Sequence, residues 1–203
     1  MKRTLASALF ALAAIAGSAQ ANVIQNGNFE NGSSNWSISG AASVTGRTFG
    51  QPGFYWGGGS LAQNGNYAVA FNGGDQFANG QLWQSFATVA GKTYTLSFDY
   101  GTTSPWAQSM NWSVFDNASG SKSLASGWVT DNNVSGILDT YRFNFVAASG
   151  STILRFADVN ANNSASNDGL LDNVSVKVPE PASLALLGLG ALGVGFGRRR
   201  KTA

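Results

Sequence analysis

Residues 92–100 read K-T-Y-T-L-S-F-D-Y, which puts Tyr94, Leu96, Phe98 and Tyr100 on one side of an extended chain and Thr93, Thr95, Ser97 and Asp99 on the other. A side-chain period of two belongs to a strand with one face on a core, and a helix would scatter these residues around its axis. The same alternation recurs at 67–71, at 82–89, around Trp112 and Val114, at Tyr141, Phe143 and Phe145, at 153–159 and at 171–178. After Asn22 no long stretch has helical periodicity. Asn-Gly pairs at 31–32, 64–65, 72–73 and 79–80 punctuate these segments with residues that accept positive φ. The pattern predicts roughly eight to ten short antiparallel strands over about 150 residues, an all-β chain forming a two-sheet antiparallel β-sandwich.

The two ends have a different composition. Lys2 and Arg3 precede an apolar run over 5–16, and Ala19 and Ala21 place small residues where a signal peptidase needs them, so residues 1–21 read as a signal peptide and the mature chain begins at Asn22. At the other end, 178–203 divides into Pro179-Glu180-Pro181, an uncharged run over 182–197, and the cluster Arg198, Arg199, Arg200, Lys201. As a helix the uncharged run reaches roughly 24 Å, just enough to cross an inner membrane if the arginines snorkel to the headgroups and act as a cytoplasmic stop. Five glycines (188, 190, 193, 195, 197) make it a poor helix in water. A bilayer tolerates them, because there the backbone must satisfy its own hydrogen bonds.

Without the ends, residues 22–177 remain as one domain carrying six basic and nine acidic residues, a net charge of −3. The whole-chain charge of +2 therefore misleads, and a nucleic-acid partner loses its electrostatic footprint. There is no Cys and no His, which removes disulfides, zinc sites built on those residues, Ser-His-Asp triads and cysteine nucleophiles.

The tail, with its Pro-Glu-Pro, short hydrophobic segment and terminal Arg cluster, resembles the PEP-CTERM sorting signal of Gram-negative bacteria that make exopolysaccharide. That resemblance implies exosortase as a partner, a hydrophobic sorting helix held transiently in the inner membrane, and delivery to the cell surface or extracellular matrix. A plain single-pass anchor is the alternative. The opening V-I-Q-N-G-N-F-E-N-G at 23–32, followed by Trp36, resembles the first strand of carbohydrate-binding modules with a galactose-binding-like jelly roll. Residues 171–176, L-D-N-V-S-V, resemble their closing strand, and 84–100 looks like their central hairpin.

Sugar binding needs flat aromatic faces beside amides and hydroxyls, and the domain has six Trp, many Asn and Gln and few charges. Trp36 and Trp112 read as core. Tyr55, Trp56, Trp83 and Trp106 are the candidates for stacking on sugar; Trp83 is out of phase with Leu82 and Phe86, and Tyr55 and Trp56 stand in a Gly-rich loop over 49–59. In a jelly roll the first and last strands are neighbours, so Glu30 and Asp172 are expected to meet and to hold a structural calcium ion, as the resemblance also implies; capping of turns is the alternative. No pair of acids announces a glycosidase, so a non-enzymatic, polysaccharide-binding envelope or matrix protein is expected, against a purely structural protein or a glycan-active enzyme.

Overall fold

A computed structural model describes residues 21–46, 65–71, 79–102, 107–118, 122–132, 138–158 and 169–178. Its strands are β1 (Ser37–Ser39), β2 (Ala42–Gly46), β3 (Tyr67–Phe71), β4 (Gln81–Ala87), β5 (Thr93–Thr102), β6 (Gln108–Asp116), β7 (Lys122–Asp131), β8 (Asp139–Val146), β9 (Ser151–Ala157) and β10 (Gly169–Lys177). They form two five-stranded sheets, ordered β1-β4-β9-β6-β7 and β2-β3-β10-β5-β8. Every pairing is antiparallel. This is the all-β sandwich expected from the alternation, and Asn22–Val178 is one compact unit.

The core lies between the sheets because each strand turns its apolar set inward. From β5 come Tyr94, Leu96, Phe98 and Tyr100; from the facing sheet come Leu82, Phe86, Met110, Trp112, Val114, Leu154 and Phe156, all buried. Phe98 meets the edge of Phe156 at 5.0 Å between ring centroids, and Trp112 stacks on Phe143 at 4.1 Å, both contacts running from one sheet to the other. Trp36 is buried against Phe29 and Phe156, and its indole Nε1 donates to the Asn26 carbonyl at 3.0 Å.

Two segments depart from expectation. Residues 23–32 do not form a regular strand: the chain runs beside β10, with Val23 N–H donating to Val176 O at 3.0 Å and Val174 N–H to Gly27 O at 2.8 Å, and then turns through positive φ at Asn26 and Phe29. The Asn26 side chain stabilises these turns, donating to Gly32 O and Ser34 O and accepting from Asn31 N–H. Nor is 84–100 a hairpin. β4 pairs with β1 and β9 while β5 pairs with β10 and β8, so the link between them carries the chain from one sheet to the other. Gly91, at φ +77°, and the Tyr94 hydroxyl, which accepts from Val89 N–H at 2.9 Å, shape that passage.

Candidate functional site

Because paired residues on neighbouring strands share a face, the register of the β1-β4-β9-β6-β7 sheet can be read across it in rows. One row runs Ser37, Trp83, Arg155, Ser113, Ser126, and the next Ser39, Gln81, Ala157, Asn111, Trp128. These positions alternate with the buried Leu82, Gln84, Met110, Trp112, Val129, Leu154 and Phe156, so they form the outer face of the sheet. Trp83 and Trp128 therefore stand on one surface, three strand spacings or roughly 14 Å apart across the strands. Trp128 is 54% exposed, with no ring partner among the described residues.

Between the two tryptophans lies polar chemistry. Arg155, on the central strand β9, places its guanidinium 5.1 Å from the centroid of the Phe115 ring. Among the described residues its buried Nε has no hydrogen-bond acceptor, and the buried hydroxyl of neighbouring Ser113 has no partner either. The half-buried Asn111 donates its Nδ2 to Gly127 O at 2.9 Å. An aromatic platform edged by amides, a hydroxyl and a guanidinium suits a ligand with flat apolar faces and a rim of acceptors.

A second cluster occupies the outer face of the other sheet. β10 and β5 pair so that Asp172 lies directly opposite Asp99, an arrangement that like charges disfavour. Asp99 is held by the Thr140 hydroxyl at 2.6 Å and by Asn173 Nδ2 at 2.7 Å. Asp172 is 1% exposed and, among the described residues, accepts only the Asn173 N–H, at 2.7 Å. Burial pushes its carboxyl up to about 7; the charges of Asp99 and Glu30 push the same way, and the Asn173 N–H opposes them. The ladder shifts register between Asp172 and Ser175, and Asn173 there has φ +51°, a bulge that directs its side-chain amide to Asp99. Glu30 accepts the N–H groups of Asn66 and Tyr67 at 2.6 and 3.0 Å.

The fold thus brings Glu30 and Asp172 within electrostatic reach of each other and adds Asp99, which sequence reasoning did not place with them. All the side-chain donors are hard carboxylate oxygens, which suits calcium rather than a transition metal. Among the described residues no group of three acids close enough to hold a metal occurs, so an ion at Glu30 and Asp172 would draw its remaining ligands from backbone carbonyls.

Of the four aromatics singled out for stacking, Trp83 lies on the outer face described above, while Tyr55, Trp56 and Trp106 are outside the described residues. Ala19, Pro179, Glu180, Pro181, Arg198, Arg199, Arg200 and Lys201 are outside them as well, so the cleavage site, the sorting helix and the stop cluster have no structural description beyond an exposed Ala21. Trp128 and Arg155 went unrecognised in the sequence. The signal was present, since each sits one residue from a core position, Val129 for the first and Leu154 and Phe156 for the second.

Two family descriptions match the chain: "PEP-CTERM protein-sorting motif" over residues 177–201, and "Protein of unknown function (DUF642)" over residues 22–177. Among curated proteins none matches. Among solved structures, the chain is similar to TmCBM61 in complex with beta-1,4-galactotriose, with TM-score 0.58 and 18% identity over 78% of this chain and 99% of that one. It is also similar to the CBM22-1 xylan-binding domain from Paenibacillus barcinonensis Xyn10C, with TM-score 0.54 and 14% identity over 80% of this chain and 97% of that one. A Family 16 Carbohydrate Binding Module-2 gives TM-score 0.52 and 17% identity over 76% and 99%. At these identities the likeness establishes the carbohydrate-binding-module sandwich as the fold.

Proposed function

The chain belongs to the DUF642 family and ends in a sorting motif that marks it for export to the cell surface or beyond; from that premise we propose that its sandwich is a non-catalytic module that binds polysaccharide on the outer face of the β1-β4-β9-β6-β7 sheet. The observation that carries this reading is the pair Trp83 and Trp128 on one sheet face, with Gln81 and Asn111 in the row that ends at Trp128. The fold neighbours include one module in complex with galactotriose and one described as xylan-binding, which supports a saccharide as the ligand class. The acidic pair does not favour catalysis. Asp172 has the raised pKa of a general acid but is closed to solvent, and a glycosidase acid must reach the glycosidic oxygen.

Retention of the purified domain, residues 22–178, on the producer's own exopolysaccharide tests the reading. Binding that falls on removal of either tryptophan supports it; no retention on any polysaccharide leaves a structural matrix or surface protein whose specific feature is its sorting tail. Exosortase is the partner proposed to process that tail in a Gram-negative envelope, after signal peptidase has acted and while the hydrophobic segment is held in the inner membrane. Structural calcium at Glu30 and Asp172 is proposed on the burial of Asp172 beside two other carboxylates, where a divalent cation would relieve their repulsion. Its part would be to stabilise the junction of the opening segment with β10, away from the sugar face.

A further inference from the structure

The strand positions of the sugar-binding face contain one cation, Arg155, and no acid among the described residues. Arg155 stands on β9, the middle strand of five, with Trp83 beside it on β4 and Ser113 beside it on β6. The cation–π contact with Phe115 is a small return for placing a guanidinium there. An aliphatic residue would pack on Phe115 as well, and the buried Nε of Arg155 makes no hydrogen bond. The Ser113 hydroxyl beside it is closed to solvent at 2% exposure, whereas Arg155 itself is half-buried, with no hydrogen-bond or ion-pair partner among the described residues. Polar groups withdrawn from water in a native fold are almost always paired, so a half-buried guanidinium left without an acceptor is unusual.

A guanidinium presents a planar fork of donors whose match is a carboxylate or another planar or tetrahedral oxyanion. We infer that the face selects an acidic polysaccharide: the carboxylate of a uronic acid residue accepts from the partly exposed Arg155 guanidinium, while neighbouring sugar rings lie on Trp83 and Trp128. This rests on the polysaccharide-binding reading and adds the ligand's charge to it. The domain's net charge of −3 repels a polyanion at long range, so selection comes from this local, desolvated contact and not from diffuse attraction. A sulfate ester on the same polymer would offer similar acceptor oxygens, so sulfated glycans form a comparison arm.

The experiment is affinity electrophoresis or titration calorimetry of residues 22–178, whose core is complete within the unit, on polygalacturonate, on the same polymer with its carboxyls reduced to primary alcohols, and on a sulfated galactan. Parent protein is expected to bind the uronate polymer roughly ten- to a hundredfold more tightly than its reduced form, the worth of a hydrogen-bonded charge contact. Arg155→Gln should remove that ratio and Arg155→Lys keep part of it, with melting temperature recorded for both; Trp83→Ala should weaken binding to charged and reduced polymers alike. Equal binding of the two polymers by the parent overturns acidic selection while leaving saccharide binding intact, and so does an Arg155→Gln variant that keeps the ratio. Tighter binding to the sulfated galactan than to the uronate overturns the carboxylate assignment. Absence of binding to every polymer overturns the underlying reading itself.

Discussion

Asp172→Asn should change how the stability of the sandwich depends on pH. In the unfolded chain the Asp172 carboxyl loses its proton near the ordinary value of 3.8, and in the fold near 7. Between those values the folded state binds the extra proton, so the contribution is full below about 4 and is lost as pH rises through about 7. The full difference corresponds to about 4 kcal/mol, and any water that reaches the carboxyl in local opening reduces it to about 2–4 kcal/mol. For a domain of this size that is a fall in melting temperature on the order of 10 °C between pH 4.5 and pH 8. The chain has no histidine, so from about pH 5.5 to pH 8 no other side chain ordinarily titrates. Asn at 172 keeps an oxygen for the Asn173 N–H at 2.7 Å and carries no charge. Thermal melts of residues 22–178 in chelator should slope downward with pH for the parent and lie nearly flat for Asp172→Asn. Excess calcium should flatten the parent's slope and raise its melting temperature at pH 8, because an ion held by ionised Glu30 and Asp172 binds only the folded state. A parent without the slope in chelator, or a variant that retains it, would refute the account of the buried acid; identical parent melts with calcium and with chelator would remove the ion.

Trp128→Ala and Trp83→Ala should each cost about 1–3 kcal/mol of polysaccharide affinity, measured as retention, with melting temperature little changed, since both side chains lie outside the core. Loss of retention only in step with loss of stability would contradict a stacking role. Gly27→Ala should destabilise the domain by about 1–3 kcal/mol in denaturant titration, because a Cβ there overlaps the backbone carbonyl of Val174, whose own N–H is bonded to Gly27 O; an unchanged midpoint would show that the opening segment is free to move away from β10. Intact mass of protein released from producing cells should show a start at Asn22 and loss of the chain beyond the neighbourhood of Pro181, and a released form ending at Ala203 would refute processing of the tail.

Period-two alternation, by itself, determined that this chain makes strands, which residues are core, and that the result is a sandwich: Tyr94, Leu96, Phe98 and Tyr100 are buried as their spacing requires, and Trp83 is turned away from them. That signal is local, carried by each strand's own residues, and so it survives in one dimension. The C-terminal sorting motif was legible in the sequence alone, as a Pro-Glu-Pro, an apolar run and an Arg cluster. What alternation cannot carry is which strand lies beside which. The stretch 84–100 has the spacing of a hairpin, yet its halves enter different sheets, because each finds a longer partner ladder elsewhere: β4 on β9 and β5 on β8 and β10. Only that pairing sets Asp172 opposite Asp99, and only the register across four strands puts Trp83, Arg155, Ser113 and Trp128 on one surface. Both sites depend on contacts between residues remote in the chain, and the tertiary structure decided them because a one-residue slip in any ladder would turn those side chains to the other face.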